Sequence, residues 1–499
     1  VASAVGRMSD SEDDSDDEPT TPKPTFSPTS ASPTLSPTPA PTVLAWERVG
    51  STLDGEGIGG QFGHQVSIST DGSTVLGGYK SSQEFHSLRF LAISVDVIAA
   101  RIVEATATEA DGEDVWNTTA RVRPDCIYWS DTTMALSGSG NVAALASVGC
   151  GTFSLNLWSK YPPFALPLPP PPSQPESPPS SSSLPQPELE MSSPSSLPPQ
   201  PKAEWAPMFG SGDPLPPDYN ERSVAPLEAA LSGNGGTIAV AHDGSTRVYD
   251  SDPPGAPPSQ SGTVEGDRAL SISADGTTIA LAVQSLGPID IVNDPEDGEI
   301  VIPPEPPHDI VKVRRRDGSG GWSQVGPDLG RSATVKSTFL SADGTVLAVG
   351  GAERDEMPMQ MPCSSCGPER GRVRVYRLDD VDHGGYWTLM GQPLIGDARD
   401  DDFGASVSLS GNGMYLVVGV PGSDAGGVEV GAIRVFRYNA DGDEWVRAGE
   451  DIFGSEGGEA FGSAVAMTGD GRRVAVGAPN NRAGGLNAGR VSVFQLNAT

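Results

Sequence analysis

The chain has 499 residues, 19% of them Asp, Glu, Lys or Arg, and a formal net charge of −33. So acidic a body excludes partners gripped through a phosphate backbone, which need clustered Lys and Arg, and no apolar run reaches the roughly 18 residues of a transmembrane helix. Prolines concentrate in segments 19–41 and 161–201, which leaves a Gly-rich, β-patterned body with ample apolar residues to bury.

Residues 1–43 stand apart from that body. Asp10 to Glu18 is an acidic run that repels itself and stays solvated. The Ser-Pro-Thr triplets at 27–29, 32–34 and 36–38 have the composition of an extended, often O-glycosylated stalk. The start at Val1 instead of Met fits secretory processing and fits a truncated chain equally.

A short strand follows at residues 44–50, with Trp46 and Gly50 four apart. Beyond it, seven small turns organise the rest: Asp71-Gly72, Ser139-Gly140, Asn234-Gly235, Asp275-Gly276, Asp343-Gly344, Asn412-Gly413 and Asp470-Gly471. Each lies between two apolar runs and carries the residues of a tight hairpin. A third strand of alternating character recurs at 371–376, 431–436 and 489–494. A fourth carries the Trp/Gly pair at Trp322/Gly326, Trp387/Gly391 and Trp445/Gly449, with a looser copy at Trp205/Gly210.

Four antiparallel strands repeated seven times predict an all-β chain folded as one β-propeller over 44–499. The last unit lacks a Trp strand, so residues 44–50 are expected to complete it and close the ring. The widest spacing between turns, Ser139 to Asn234, contains a Pro/Ser-rich insertion at 161–204, expected to loop out between the third and fourth strands of unit two. The narrowest, Asn234 to Asp275, predicts a trimmed third unit without a fourth strand. Gly55 to Gly60 reads as a connection between units, and Arg314, Arg315 and Arg316 as the cap of a strand end.

Four cysteines, an even number in a chain read as secreted, predict local disulfides Cys126–Cys150 and Cys363–Cys366. The Cys363/Cys366 pair is alternatively half of a zinc site, but the five scattered histidines supply no other half. Asn117 and Asn497 each begin a glycosylation sequon. Serine-elbow, zinc-protease and P-loop motifs are absent, so no catalytic residue is assigned and the chain is not expected to be an enzyme.

Phe403-Gly404 precedes the first strand of unit six and Gly419-Val420-Pro421 follows the second; Phe461-Gly462 and Gly477-Ala478-Pro479 repeat the arrangement. Phe62-Gly63 and Gly77-Gly78-Tyr79 form a degenerate copy. These pairs resemble the FG-GAP repeat of integrin α-subunit-like propellers, closely over 44–79 and 400–499, partly over 330–400 and poorly between 80 and 330. The resemblance implies a seven-bladed, largely extracellular fold used in adhesion and protein recognition. Members often carry a calcium loop at the first turn; the turns here offer too few oxygens for six to eight ligands, so no cofactor is expected at them, and calcium stays open only elsewhere in the chain.

The leading reading is a secreted or surface-displayed module, monomeric, that binds a protein or glycan. The alternatives are a propeller enzyme acting on extracellular polysaccharide, which needs carboxylates converging on the channel, and an intracellular WD40-like scaffold, against which the stalk, sequons and cysteines count. In a propeller the connections between blades and those from second to third strands share one face. There the sequence places Asp54, Glu56, Asp397, Asp400, Asp401, Asp402, Glu450, Asp451, Glu456 and Glu459, with variable loops at 351–370, 420–430 and 478–488. This acidic rim is the candidate surface for a basic protein, or for an anionic glycan bridged by divalent cations.

Overall fold

The computed structural model describes residues 44–57, 59–80, 100–106, 115–122, 129–149, 152–160, 206–214, 227–242, 244–252, 257–285, 290–294, 298–302, 308–332, 334–352, 370–379 and 385–498. The acidic segment 1–43, the insertion 161–204 and Cys126, Cys150, Cys363 and Cys366 lie outside them. No helix occurs among the described residues, and none there is long and apolar enough to cross a membrane.

Seven antiparallel sheets follow in chain order, each led by an inner strand: Gln65–Ile68, Trp129–Leu136, Glu228–Leu231, Arg268–Ile272, Thr334–Leu340, Val407–Leu409 and Ala464–Met467. These are blades 1 to 7. The N-terminal strand Leu44–Arg48 pairs with Arg490–Ala498, Trp46 opposite Leu496, and so forms the outer strand of blade 7. The ring closes as the sequence predicts. The third unit, in contrast, is not trimmed: Ser259–Glu265 pairs with Ser245–Asp250 as a full fourth strand of blade 3. Most of its side chains are exposed or half-buried, with Val264 buried, so it has neither the Trp nor the apolar alternation that marks the others. Blade 4 also carries an extra hairpin, Asp290–Asp294 with Gly298–Ile302, between its second and third strands.

Seven apolar clusters lie among the described residues, and each spans a pair of neighbouring blades. The 5/6 cluster, for example, packs Val346, Val373 and Leu394 against Phe403, Leu416 and Phe436. A sheet covered on both faces needs continuous apolar strands, which explains second strands such as Tyr415–Val420, where five residues in a row are buried.

Six of the seven turns repeat one bonding scheme, Ser139 replacing the Asp or Asn in turn 2. The hydroxyl of Ser341 donates to Asp343 Oδ1 at 2.6 Å and accepts the Val346 amide at 2.9 Å. Asp343 Oδ1 also accepts the Thr345 amide at 3.0 Å. Asn234 and Asn412 hold the same place in turns 3 and 6. Turn residues also bond around the axis: Thr70 N to Gly138 O, Ser139 N to Gly233 O, Gly233 N to Ala274 O, Ala274 N to Ala342 O, Ala342 N to Gly411 O, Gly411 N to Gly469 O and Gly469 N to Thr70 O, all 2.7–3.0 Å. Within this closed collar position 233 has no room for a side chain, since a Cβ on Gly233 would stand 2.8 Å from that of Ala274.

Three turn carboxylates titrate below their ordinary range. Burial pushes the carboxyls of Asp71, Asp275 and Asp343 upward, but their Ser, Thr and amide donors outweigh it and hold each below the ordinary 3.8. The unfolded chain therefore takes up these protons first as pH falls. The turns' stabilisation is present above the unfolded value and is lost below it, as pH drops through the folded values. Replacing all three by Asn is expected to flatten the fall of melting temperature below about pH 4. An unchanged acid profile would contradict that origin.

Candidate recognition surface

In these antiparallel blades the seven short turns share a face with the third-to-fourth turns. The second-to-third loops and the connections between blades share the other. Arginines on the third strands organise that loop face. Arg434, 4% exposed, donates Nε to Asp451 Oδ2 at 3.0 Å and Nη2 to Asp397, so it joins connections 5/6 and 6/7. Its guanidinium lies 5.6 Å from the centre of the Phe403 ring. Asp451 also pairs with Arg447, whose pKa burial and neighbouring Arg434 lower. In blade 1, Arg101 stacks 5.3 Å from the Phe62 ring, donates to the Asp54 carbonyl at 2.7 Å and lies 3.9 Å from Glu56. Arg490 Nε donates to the Asp54 carboxylate at 2.6 Å.

The ten predicted acids therefore fall into different environments. Asp54, Asp397 and Asp451 are ion-paired within the ring. Asp402 pairs with Lys336 at 2.7 Å. Glu459 is 1% exposed and accepts the amides of Ser455 and Glu456 and the Asn481 side chain; it is an internal strut. Asp401 is buried, and burial raises its pKa, although the Ala398 amide and Arg434 oppose the shift. Glu456 is half-buried and accepts the Arg482 amide at 3.3 Å. Glu56, Asp400 and Glu450 are exposed. Sequence reasoning missed the exposed Asp424 and Glu429 on the blade 6 loop, and four exposed apolar residues of this face: Ile395, Val428, Phe453 and Leu486. A signal was present, since Gly426-Gly427-Val428 and Gly484-Gly485-Leu486 repeat the same tip.

Of the sequon asparagines, Asn497 lies on the third strand of blade 7 and donates to Glu47 at 2.7 Å. Asn117 lies on the outer strand of blade 1, Val115–Val122. The arginine triplet ends the third strand of blade 4, where Arg316 chelates Asp250 of blade 3 at 2.6 and 2.8 Å. The turns do not fit calcium. Asp470 Oδ1, for instance, already accepts the Thr468 hydroxyl and the Arg472 amide at 2.6 and 2.9 Å, and no turn supplies more than one such side chain.

The family model of the FG-GAP repeat matches residues 454–494, which span the end of connection 6/7 and the first three strands of blade 7. No curated protein sequence matches the chain. Similar solved structures include the β-propeller domain of Myceliophteria_thermophila Cps50 (Swd1), 10% identical, with 90% of this chain and 99% of that chain covered and a TM-score of 0.45. A functionally unknown protein from Desulfotomaculum acetoxidans DSM 771 is 11% identical, with 79% and 89% covered and a TM-score of 0.40.

Proposed function

We propose that this FG-GAP-repeat propeller is an extracellular or cell-surface binding module without enzymatic activity, and that its loop face over blades 5 to 7 recognises a basic protein. The observation that carries the reading is the set of exposed carboxylates there: Asp400, Asp402, Asp424, Glu429 and Glu450. The FG-GAP match at 454–494 supports a recognition role, and the stalk composition and sequons support the extracellular placement.

The test is binding to an immobilised lysine homopeptide across a salt series. Asp400→Asn, Asp402→Asn and Glu450→Gln together are expected to weaken binding several-fold and to flatten its salt dependence. Asp13→Asn, Asp14→Asn and Asp16→Asn remove as many charges from the acidic run and are expected to matter less. Equal effects would mean that net charge alone attracts the probe.

A further inference from the structure

The two loops behind the missed apolar residues are copies of each other. Ala425-Gly426-Gly427-Val428-Glu429-Val430-Gly431 of blade 6 matches Ala483-Gly484-Gly485-Leu486-Asn487-Ala488-Gly489 of blade 7. Their backbones agree within a degree where they are most unusual: φ is 133° at Gly427 and 132° at Gly485, 50° at Glu429 and 51° at Asn487. The last two are non-glycine residues in the left-handed region, a conformation that persists only where surrounding bonds impose it. Those bonds are also copied. Gly427 N donates to Asp424 O and Gly485 N to Arg482 O, both at 3.0 Å; Gly431 N donates to Ser423 O at 3.0 Å and Gly489 N to Asn481 O at 2.9 Å.

Each tip is fixed to the connection beside it. The Val428 carbonyl accepts Gly458 N at 3.2 Å and the Leu486 carbonyl accepts Gly59 N at 2.8 Å. The backbone is therefore held while the side chain is turned outward: Val428 is 78% exposed and Leu486 58%, although Val430 and Ala488, two residues on, are buried. Phe453, 39% exposed, lies against Gly426, where a Cβ would stand 2.9 Å from its own. Ile395, 49% exposed, occupies the corresponding strand of blade 5. Two successive blades thus present an aliphatic side chain in the same rigid setting, and the Val428 loop also carries the exposed carboxylates Asp424 and Glu429.

We infer that Val428 and Leu486 are the apolar anchors of the recognition face, and that the partner they fit is an amphipathic basic segment of a protein, aliphatic where it meets the tips and Lys/Arg-rich where it meets the carboxylates. The inference rests on the proposed basic-protein reading and adds to it a requirement for apolar contact. Charge complementarity selects this occupant. A second copy of the chain would bring like charges together, and a purely cationic ligand would leave the tips in water.

The experiment compares two 18-residue peptides on the full chain, one patterning Leu and Lys for an amphipathic helix, the other with Ser at every Leu. The native chain is expected to bind the Leu/Lys peptide at least tenfold more tightly. Val428→Ser with Leu486→Ser, both exposed and so neutral for folding, is expected to abolish that preference and leave Ser/Lys binding unchanged. Met414→Ser, an exposed apolar residue of the turn face, is expected to change neither. A preference retained in the double variant, or none in the native chain while both peptides bind, overturns the anchors but not the acidic face. Binding of neither peptide at low salt overturns both.

Discussion

Deleting residues 44–50 is expected to destabilise the whole ring, because this strand is bonded to three blades. Within blade 7 it covers the third strand from Leu44 opposite Ala498 to Arg48 opposite Phe494. Toward blade 6, Trp46 Nε1 donates to Ala448 O at 2.7 Å; toward blade 1, Val49 O accepts Trp116 Nε1 at 3.2 Å. The same latch joins Trp445 to Met390 O at 2.8 Å and Trp387 to Val325 O at 3.1 Å. In each case the acceptor immediately precedes the Gly of the Trp/Gly pair in the neighbouring blade. Trp46→Ala alone removes one indole from the 6/7 interface and is expected to cost about 3 kcal/mol. The full deletion also exposes the backbone edge of Arg490–Ala498 and is expected to exceed that, with one cooperative transition at a lower temperature. Removing residues 1–40 is expected to leave the transition nearly unmoved. Equal melting of the two truncations would contradict the role of the strand.

These latches explain which features were legible in the sequence. The hairpin turns were legible because a local backbone need, positive φ at Gly344 or Gly413, leaves a local mark. Closure was legible because a Trp/Gly pair stood at one end and was missing at the other. Blade 3's fourth strand was not, since Ser259–Glu265 buries mainly Val264 and is held by its backbone pairing. The rim was legible as charge and not as chemistry. Arg434 lies far from Asp397 in sequence, and Glu459 reads as a surface acid until Asn481 folds onto it. Only long-range packing separates a strut from a binding carboxylate. Trp322 likewise carries the marker, yet its indole nitrogen is buried without a partner among the described residues. It faces Gly262 of blade 3, where no Trp/Gly pair supplies the carbonyl.

Gly477→Ala is expected to be among the most damaging single substitutions in the ring, and the reason is also why the repeat motif takes the form it does. A Cβ at Gly477 would stand 1.9 Å from the carbonyl oxygen of Gly63. At Gly419 it would stand 2.0 Å from that of Gly462, and at Gly350 2.4 Å from that of Gly404. In each pair the glycine after a phenylalanine or its counterpart at the start of one blade presses on the second strand of the blade before it. The third-strand glycines complete the lock: Phe62 bridges Gly489, and Phe461 bridges Gly431. The two halves of the motif thus meet across a junction, and a repeat that loses one half releases the constraint on its neighbour. That accounts for the fading of the pattern through blades 2 to 4, where side chains take over, as when Glu228 accepts the Leu270 amide at 2.7 Å and Asp309 the Val335 amide at 2.9 Å. Because the obstruction at Gly477 is backbone, it cannot rotate away, and the cost is expected to reach about 3 kcal/mol, the upper end for overpacking. Gly419→Ala is expected to match it by opening junction 6/7. Gly318→Ala, with nothing within 4 Å of the new Cβ, is the neutral control. Denaturant titration of the three variants checks the order; a Gly477→Ala chain as stable as Gly318→Ala would show that the blades pack with enough slack to absorb a methyl, and the interlock would not explain the motif.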